Sequence, residues 1–242
     1  MIGGASTFIT GFVLHRRAYQ ESSFLVDILS LEAGKIRCVA RGMRSAKSDR
    51  KSVLQPFQPI ACELTGKSEL KSVKNAENTD KSIPLQHTSL FCGMYLNELI
   101  NRVLPSNIPC PDIVNDYYET LKQLNTSQKF NSTLQPHQEA HLRCFELNLL
   151  AELGYLPDLS CEVRTQTAIE DDMDYVFISD QGLFLKQWYP HLTSVKGQWI
   201  NDALAQRWHP ESLRTAKWIT RQAFQPLLGD KPLKSRELFV SK

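Results

Sequence analysis

The sequence predicts an α+β protein: a five-stranded OB-fold β-barrel over residues 1–80, then an α-helical domain over residues 81–242 with a small irregular or hairpin insert at about 156–190. Three observations carry this. As far as Asn78 the chain reads as short β segments, the third carrying an alternating pattern, bounded by Gly and Ser turns. After Lys81 the period lengthens to about 3.6 residues, that of amphipathic helices. The charge follows the same division: residues 1–81 hold 13 Lys/Arg and 8 Asp/Glu, residues 82–206 hold 7 and 15, and residues 207–242 hold 8 and 3. Two basic ends flank an acidic middle, which favours polyanion contact through the ends.

The strands are expected at Thr7–His15, Ser22–Ser30, Lys35–Arg41, Phe57–Thr65 and Glu69–Glu77. Phe8, Phe12 and Phe24 fall inside apolar runs and are read as core. Gly34 and Gly66 close short connections, and the longest gap, Gly42 to Pro56, holds a basic loop. Five short strands in so few residues fit an OB-type barrel, and an SH3-like barrel fits the same pattern. Amphipathic helices are expected at Leu85–Leu104, Asp112–Asn125 and Pro136–Leu153, the last stopped by Gly154. Leu156 to Tyr189 departs from helical spacing: an acidic run, Glu170–Asp174, precedes YVFISDQGLFL with its Asp-Gln-Gly turn. Helices resume at Trp199–Trp208 and Pro210–Leu228, ending at Gly229. The four tryptophans, Trp188, Trp199, Trp208 and Trp218, are read as core.

Several function classes are disfavoured. No stretch of about 18 apolar residues exists and the N-terminus lacks a secretory pattern, so a cytoplasmic protein without membrane contact is expected, associated with the nucleoid if it binds DNA. Six cysteines without a C-x-x-C pair suit free thiols in a reducing cell. No P-loop, G-x-G-x-x-G or G-x-S-x-G is present. His137 and His141 stand four apart in HQEAH, but a zincin needs the glutamate beside the first histidine. Asp171, Asp172 and Asp174 lack an EF-hand frame and read as a solvated turn; a metal-dependent nuclease built on them is the enzyme alternative. The chain reads as a binding protein that needs no cofactor.

The basic segment Gly34–Lys51 carries seven cations against the single acid Asp49. On its strand Ile36, Cys38 and Ala40 alternate with Lys35, Arg37, Val39 and Arg41, so three cations project from one face of a core-backed sheet. Arg44, Lys47, Arg50 and Lys51 extend the positive charge into the loop. The competing reading is a solvated edge strand whose charges block aggregation. Tyr19 and Phe57, at loop edges, are the expected stacking aromatics. Plentiful cations and few aromatics point to contact with the phosphate backbone of single or double strands. An RNA-binding OB-fold protein is the alternative.

GFVLHRRAYQESSFLVDILSLEAGKIRCVARGMRS, LQPFQP, YLNELINRVL, LRCFELNLLAELGY and KPLKSRELF, in this order, resemble the RecO family of bacterial recombination mediators over nearly the entire chain. The resemblance implies an OB-fold followed by a helical domain, binding of single- and double-stranded DNA and annealing of complementary strands. It implies as partners RecR, RecA through its loading, and the single-stranded DNA-binding protein, whose acidic C-terminal tail such proteins bind. It puts Lys35, Arg37, Arg41 and Arg44 on the DNA face, where we add Arg16 and Arg17 of its first block. Arg143 matches the arginine of the family's L-R-x-F-E-L block and, with Leu142, is the candidate for the partner tail; a helix salt bridge to Glu139 or Glu146 explains it equally well. Arg214, Lys217 and Arg221 share one helix stripe, to be read either as a second part of that site or as a solvated face. Many members carry two C-x-x-C pairs after the L-G-Y block, whereas this chain keeps only Cys161 and has Arg164 where a second cysteine would stand, so no zinc is expected.

Overall fold

The computed structural model describes residues 6–43, 52–66, 68–126 and 133–239. It forms two compact units, Met1–Phe130 together with Leu233–Lys242, and Asn131–Pro232. These divide the chain differently from a boundary at 80/81, because two helices and the last turn group with the strands.

In the first unit, β1 (Thr7–Tyr19), β2 (Ser23–Ser30), β3 (Gly34–Ala40), β4 (Pro59–Thr65) and β5 (Lys71–Asn78) close a barrel in the order β1-β2-β3-β5-β4. This is the expected OB-like architecture. Ile9, Val13, Val26, Ile28, Ile36, Cys38, Ile60, Cys62 and Leu64 fill the interior. All six cysteines are free thiols, and burial pushes Cys62 up to about 12, which leaves it a core residue rather than a nucleophile. Gly11 lies where a Cβ would sit 1.9 Å from the Leu29 carbonyl oxygen, so only glycine allows β1 and β2 to approach there. β1 runs four residues beyond the expected His15 because Arg16 to Tyr19 continue the ladder opposite Val26 to Ser23. β4 begins at Pro59 rather than Phe57, since Phe57 takes a left-handed φ of 67° that no strand accommodates.

One irregularity ties the barrel to its helices. The β1–β2 register slips between Val13 and His15, leaving Leu14 without a cross-strand partner. Its carbonyl accepts a hydrogen bond of 2.9 Å from Asn97 Nδ2 on α1 (His87–Val103), and Asn97 Oδ1 accepts one of 2.6 Å from the Tyr117 hydroxyl on α2 (Pro111–Thr126). Tyr117 in turn stands edge-on to Phe12 of β1, ring centroids 5.3 Å apart. Residues after 232 return to the same unit: Glu98 on α1 accepts from the Lys234 and Ser235 backbone N–H groups at 3.0 and 2.8 Å and from the Ser235 hydroxyl at 2.6 Å. The carboxylate thereby caps a final 3-10 turn, Lys234–Phe239.

In the second unit, α3 (Pro136–Glu152) and α5 (Pro210–Leu228) pack together beside a three-stranded sheet of order β7-β6-β8 and a short α4 (Gly197–Leu204). The expected hairpin is β6 (Asp174–Ile178) and β7 (Gly182–Leu185), turned by Asp180 and Gly182 at positive φ; β8 (Val195–Lys196) completes the sheet. α4 stops four residues before the expected Trp208, because Gln206 adopts φ 54° and ends the turn. α5 opens on a capping box in which Ser212 Oγ accepts from the His209 backbone at 2.9 Å. His209 also lies between two acids, Nε2 at 3.0 Å from Asp202 and Nδ1 at 3.1 Å from Glu211.

Two outcomes follow. Asn97→Ala leaves the Leu14 carbonyl and the Tyr117 hydroxyl buried without these partners, at about 1–3 kcal/mol each, and will lower the urea midpoint more than Tyr117→Phe, which strands only the Asn97 Oδ1. Asp202, then Glu211, hold His209 above its ordinary value of 6.5. The stabilisation from the charged ring is therefore complete below about pH 6.5 and is lost as pH rises through the higher folded pKa. Melting temperatures across that window should fall for the wild type and lose this component in His209→Asn, which keeps a capping side chain.

Candidate nucleic-acid interface

The alternation on β3 holds as far as the strand runs: Ile36, Cys38 and Ala40 are buried in the barrel and Lys35, Arg37 and Val39 alternate with them, while Arg41, expected to end the strand, lies in the turn after it. The outward residues are less uniform than the sequence implied. Val39 is covered, and Lys35 is half-buried, its Nζ donating to the Asn101 carbonyl on α1 at 2.7 Å. Desolvation holds Lys35 below its ordinary pKa despite the pull of Asp27. Arg37 is 53% exposed but doubly bonded to Asp27 on β2, Nε to Oδ1 at 2.6 Å and Nη2 to Oδ2 at 3.2 Å. That bond to Asp27 raises its pKa. Asp27 also accepts from Asn101 Nδ2 at 3.3 Å and lies 3.9 Å from His15 Nδ1. The row His15–Asp27–Arg37 crosses three strands in register, with Arg41 and Arg17 exposed near it in sequence.

The other expected contacts divide. Arg16 stacks over the Phe24 ring at 5.0 Å, and its burial lowers its pKa. Tyr19 ends β1, half-buried. Arg44, Lys47, Arg50 and Lys51 lie outside the described residues. Phe57 is a correction: it is buried, and a Cβ on Gly93 would come within 2.8 Å of its ring, so it packs under α1 and offers no face to a base. Phe8 exchanges roles with it. Read as core, it is 71% exposed, because Ile9 and Val13 take the inward phase of β1 and leave Phe8 on the outer face.

Sequence reasoning did not find an apolar groove of about 800 Å³ in the first unit. Leu14, Pro56, Phe57, Leu90, Met94 and Leu238 line it, with His15, Arg102 and Lys234 among its charged or titratable residues. Its walls come from four separate stretches of chain, so no local spacing announces it.

In the second unit the expected rim cation, Arg143, is buried at 6% side-chain exposure and paired with Glu146 at 2.9 Å. Thr220 donates to the other oxygen of Glu146 at 2.6 Å. The helix salt bridge is thus what the structure contains, and Leu142 is core. On α5 Lys217 bonds Glu139 at 3.0 Å, Arg214 bonds Glu211 at 2.7 Å, and Arg221 is exposed. Trp188, also read as core, is 42% exposed. Asp171 accepts from Asn201 Nδ2 at 2.8 Å, and Asp174 pairs with Lys196 at 3.3 Å. Among the described residues no group of three or more His, Cys, Asp or Glu is placed to hold a metal ion, and no helix is long and apolar enough to cross a membrane.

Family models for the N-terminal and C-terminal parts of recombination protein O match residues 6–81 and 86–237. The chain belongs to the recombination protein O family. It is 41% identical over 235 residues to the DNA repair protein RecO of Pseudoalteromonas atlantica, covering 97% of this chain and 95% of that one. To the DNA repair protein RecO of Alteromonas mediterranea it is 39% identical over 236 residues, covering 97% of each, and to that of Vibrio parahaemolyticus 37% over 236 residues, covering 98% and 94%. Family membership and the closed barrel agree on an OB-like N-terminal fold in a DNA repair protein.

If the β3 face meets phosphates, Asp27 competes with them for Arg37. Asp27→Asn frees the guanidinium, so duplex affinity should rise at low salt and log K should fall more steeply with log salt, by about 0.9. A salt series by fluorescence anisotropy measures both; an unchanged slope would remove Arg37 from the interface.

Proposed function

We propose that this protein is a recombination mediator: it binds single- and double-stranded DNA, anneals complementary strands coated by single-stranded DNA-binding protein, and helps RecR load RecA during repair. The observation that supports this most directly is the pair of β3 cations, Lys35 and Arg37, with the exposed Arg41 in the turn just after the strand, on an OB-like barrel in a protein of this family. Arg16, Arg17 and the loop cations after Arg41 extend the same basic N-terminal region. Cations on a sheet reach phosphates and leave base edges free. Neutralising two backbones lowers their mutual repulsion, and pairing itself then supplies the free energy of annealing, with no bond made or broken by the protein. We therefore read it as acting without catalysis or cofactor, in the cytoplasm on nucleoid DNA.

For the acidic tail of the coating protein we propose the α3–α5 seam. Lys217 reaches Glu139 across it, Arg214 and Arg221 lie about one turn to either side on α5, and Arg143 and Leu142 are packed beneath. A tail carboxylate would replace Glu139 on Lys217, exchanging one charge-assisted bond for another.

Annealing of coated oligonucleotides tests both parts. Intact coating protein should support annealing that weakens with salt, and coating protein without its tail should not. Arg37→Glu with Arg41→Glu should cut annealing about tenfold or more at 0.15 M salt, since two phosphate contacts become repulsions. Unchanged annealing in that variant would put the DNA elsewhere, and tail-independent annealing would leave a general nucleic-acid binder.

A further inference from the structure

The insert between α3 and α4 carries an exposed aromatic and cationic site that the mediator reading leaves unused. Trp188 ends a 3-10 turn, Lys186–Trp188, directly after β7 and is 42% exposed. The Arg164 guanidinium lies 4.7 Å from its ring centroid and 5.9 Å from that of Tyr189. Tyr189 stands edge-on to the buried Phe184, centroids 5.3 Å apart, which anchors the pair to the sheet. Arg164 is exposed and forms no ion pair with any described residue. Lys186, on the same turn, bonds the Leu192 carbonyl rather than a carboxylate.

Both sides of this site are held by one buried anion. Glu162 is fully buried, and its Oε2 accepts from the Thr165 N–H and hydroxyl at 2.5 and 2.8 Å. Its Oε1 accepts from the Leu185 N–H at 3.4 Å. Burial pushes this carboxyl up, but the donors outweigh it and leave the pKa below its ordinary value. The Val163 N–H donates to the Leu183 carbonyl at 2.8 Å, which fastens the Arg164 loop to β7. The loop with the guanidinium and the strand leading to the indole are thus fixed to each other, as a preorganised binding site requires.

We propose that Trp188 and Arg164 form a stacking platform for an unpaired nucleotide, a nucleic-acid contact in the second unit distinct from the β3 cations. The chemistry selects this ligand. A half-exposed indole takes any base on the face opposite Arg164, and the unneutralised guanidinium over its first face draws the attached phosphate. Duplex DNA hides its base faces and gains only the charge. The proposal rests on the DNA-binding reading above, and the test separates the two.

The experiment titrates the full chain with oligothymidylate and with a duplex, recording intrinsic tryptophan fluorescence and anisotropy of labelled DNA. Oligothymidylate should quench the wild type and not Trp188→Phe, while duplex should quench neither through this residue. Trp188→Ala should weaken oligothymidylate binding about fivefold to a hundredfold and duplex binding less than twofold. Arg164→Gln, an exposed and conservative change, should weaken the single strand in the same direction. A wild type that binds no DNA defeats both readings; binding with unchanged fluorescence, equal losses on single strand and duplex, or normal single-strand binding by Trp188→Ala defeats this one alone.

Discussion

The first unit depends on how one carbonyl is satisfied. A bulge in β1 turns the Leu14 C=O out of the ladder, and a buried carbonyl without a donor is among the costlier defects a fold can carry. Asn97 answers it and is itself completed by Tyr117, so one amide fixes the strand, α1 and α2 to each other. The bulge also sets the phase of β1 beyond it. With His15 rather than Leu14 opposite Asp27, the outward row His15–Asp27–Arg37 falls into line, and Leu14 is released to the wall of the apolar groove. The electrostatics of the barrel surface thus follow from a local backbone irregularity.

Several of the exposed cations are held by a carboxylate. Asp27 holds Arg37, Glu139 holds Lys217 and Glu211 holds Arg214, each at 3.0 Å or less. Where both partners are exposed, as in Arg214–Glu211, such a pair contributes on the order of 0–1 kcal/mol and its loss to a competing anion costs little, whereas the buried Asp27 would be left leaning on Asn101. Such a surface keeps its guanidinium and ammonium groups in known directions while remaining ready to exchange partners. Arg143 is the opposite case: buried against Glu146, it is committed to the interior, where removing either partner strands a charge.

Much of the fold was legible from periodicity. Five strands and four long helices fall close to where polarity and spacing place them, because burial on one face imposes the period. Boundaries moved where a residue adopts a left-handed backbone, as at Phe57 and Gln206, which hydrophobic pattern does not encode. The site was legible in part. Alternation on β3 placed Lys35 and Arg37 correctly on one face, yet Asp27, hidden in an all-buried strand, and Asn101, on a distant helix, decide how much of that charge is free. Phe8 and Phe57 exchanged roles because strand phase and a left-handed turn outweigh hydrophobicity. Trp188 shows the same limit: it sits on a turn that follows β7, where the Leu185 N–H is held by Glu162, more than twenty residues earlier.

The capping of residues 234 and 235 by Glu98 bears on how the chain is made. In chain order the whole second unit, Asn131–Pro232, is an insertion within the first. The donors that Glu98 accepts from at Lys234 and Ser235 do not exist until translation has passed Ser235. Completion of the first unit is therefore a late event in biosynthesis, reached only after every residue of the second has left the decoding centre.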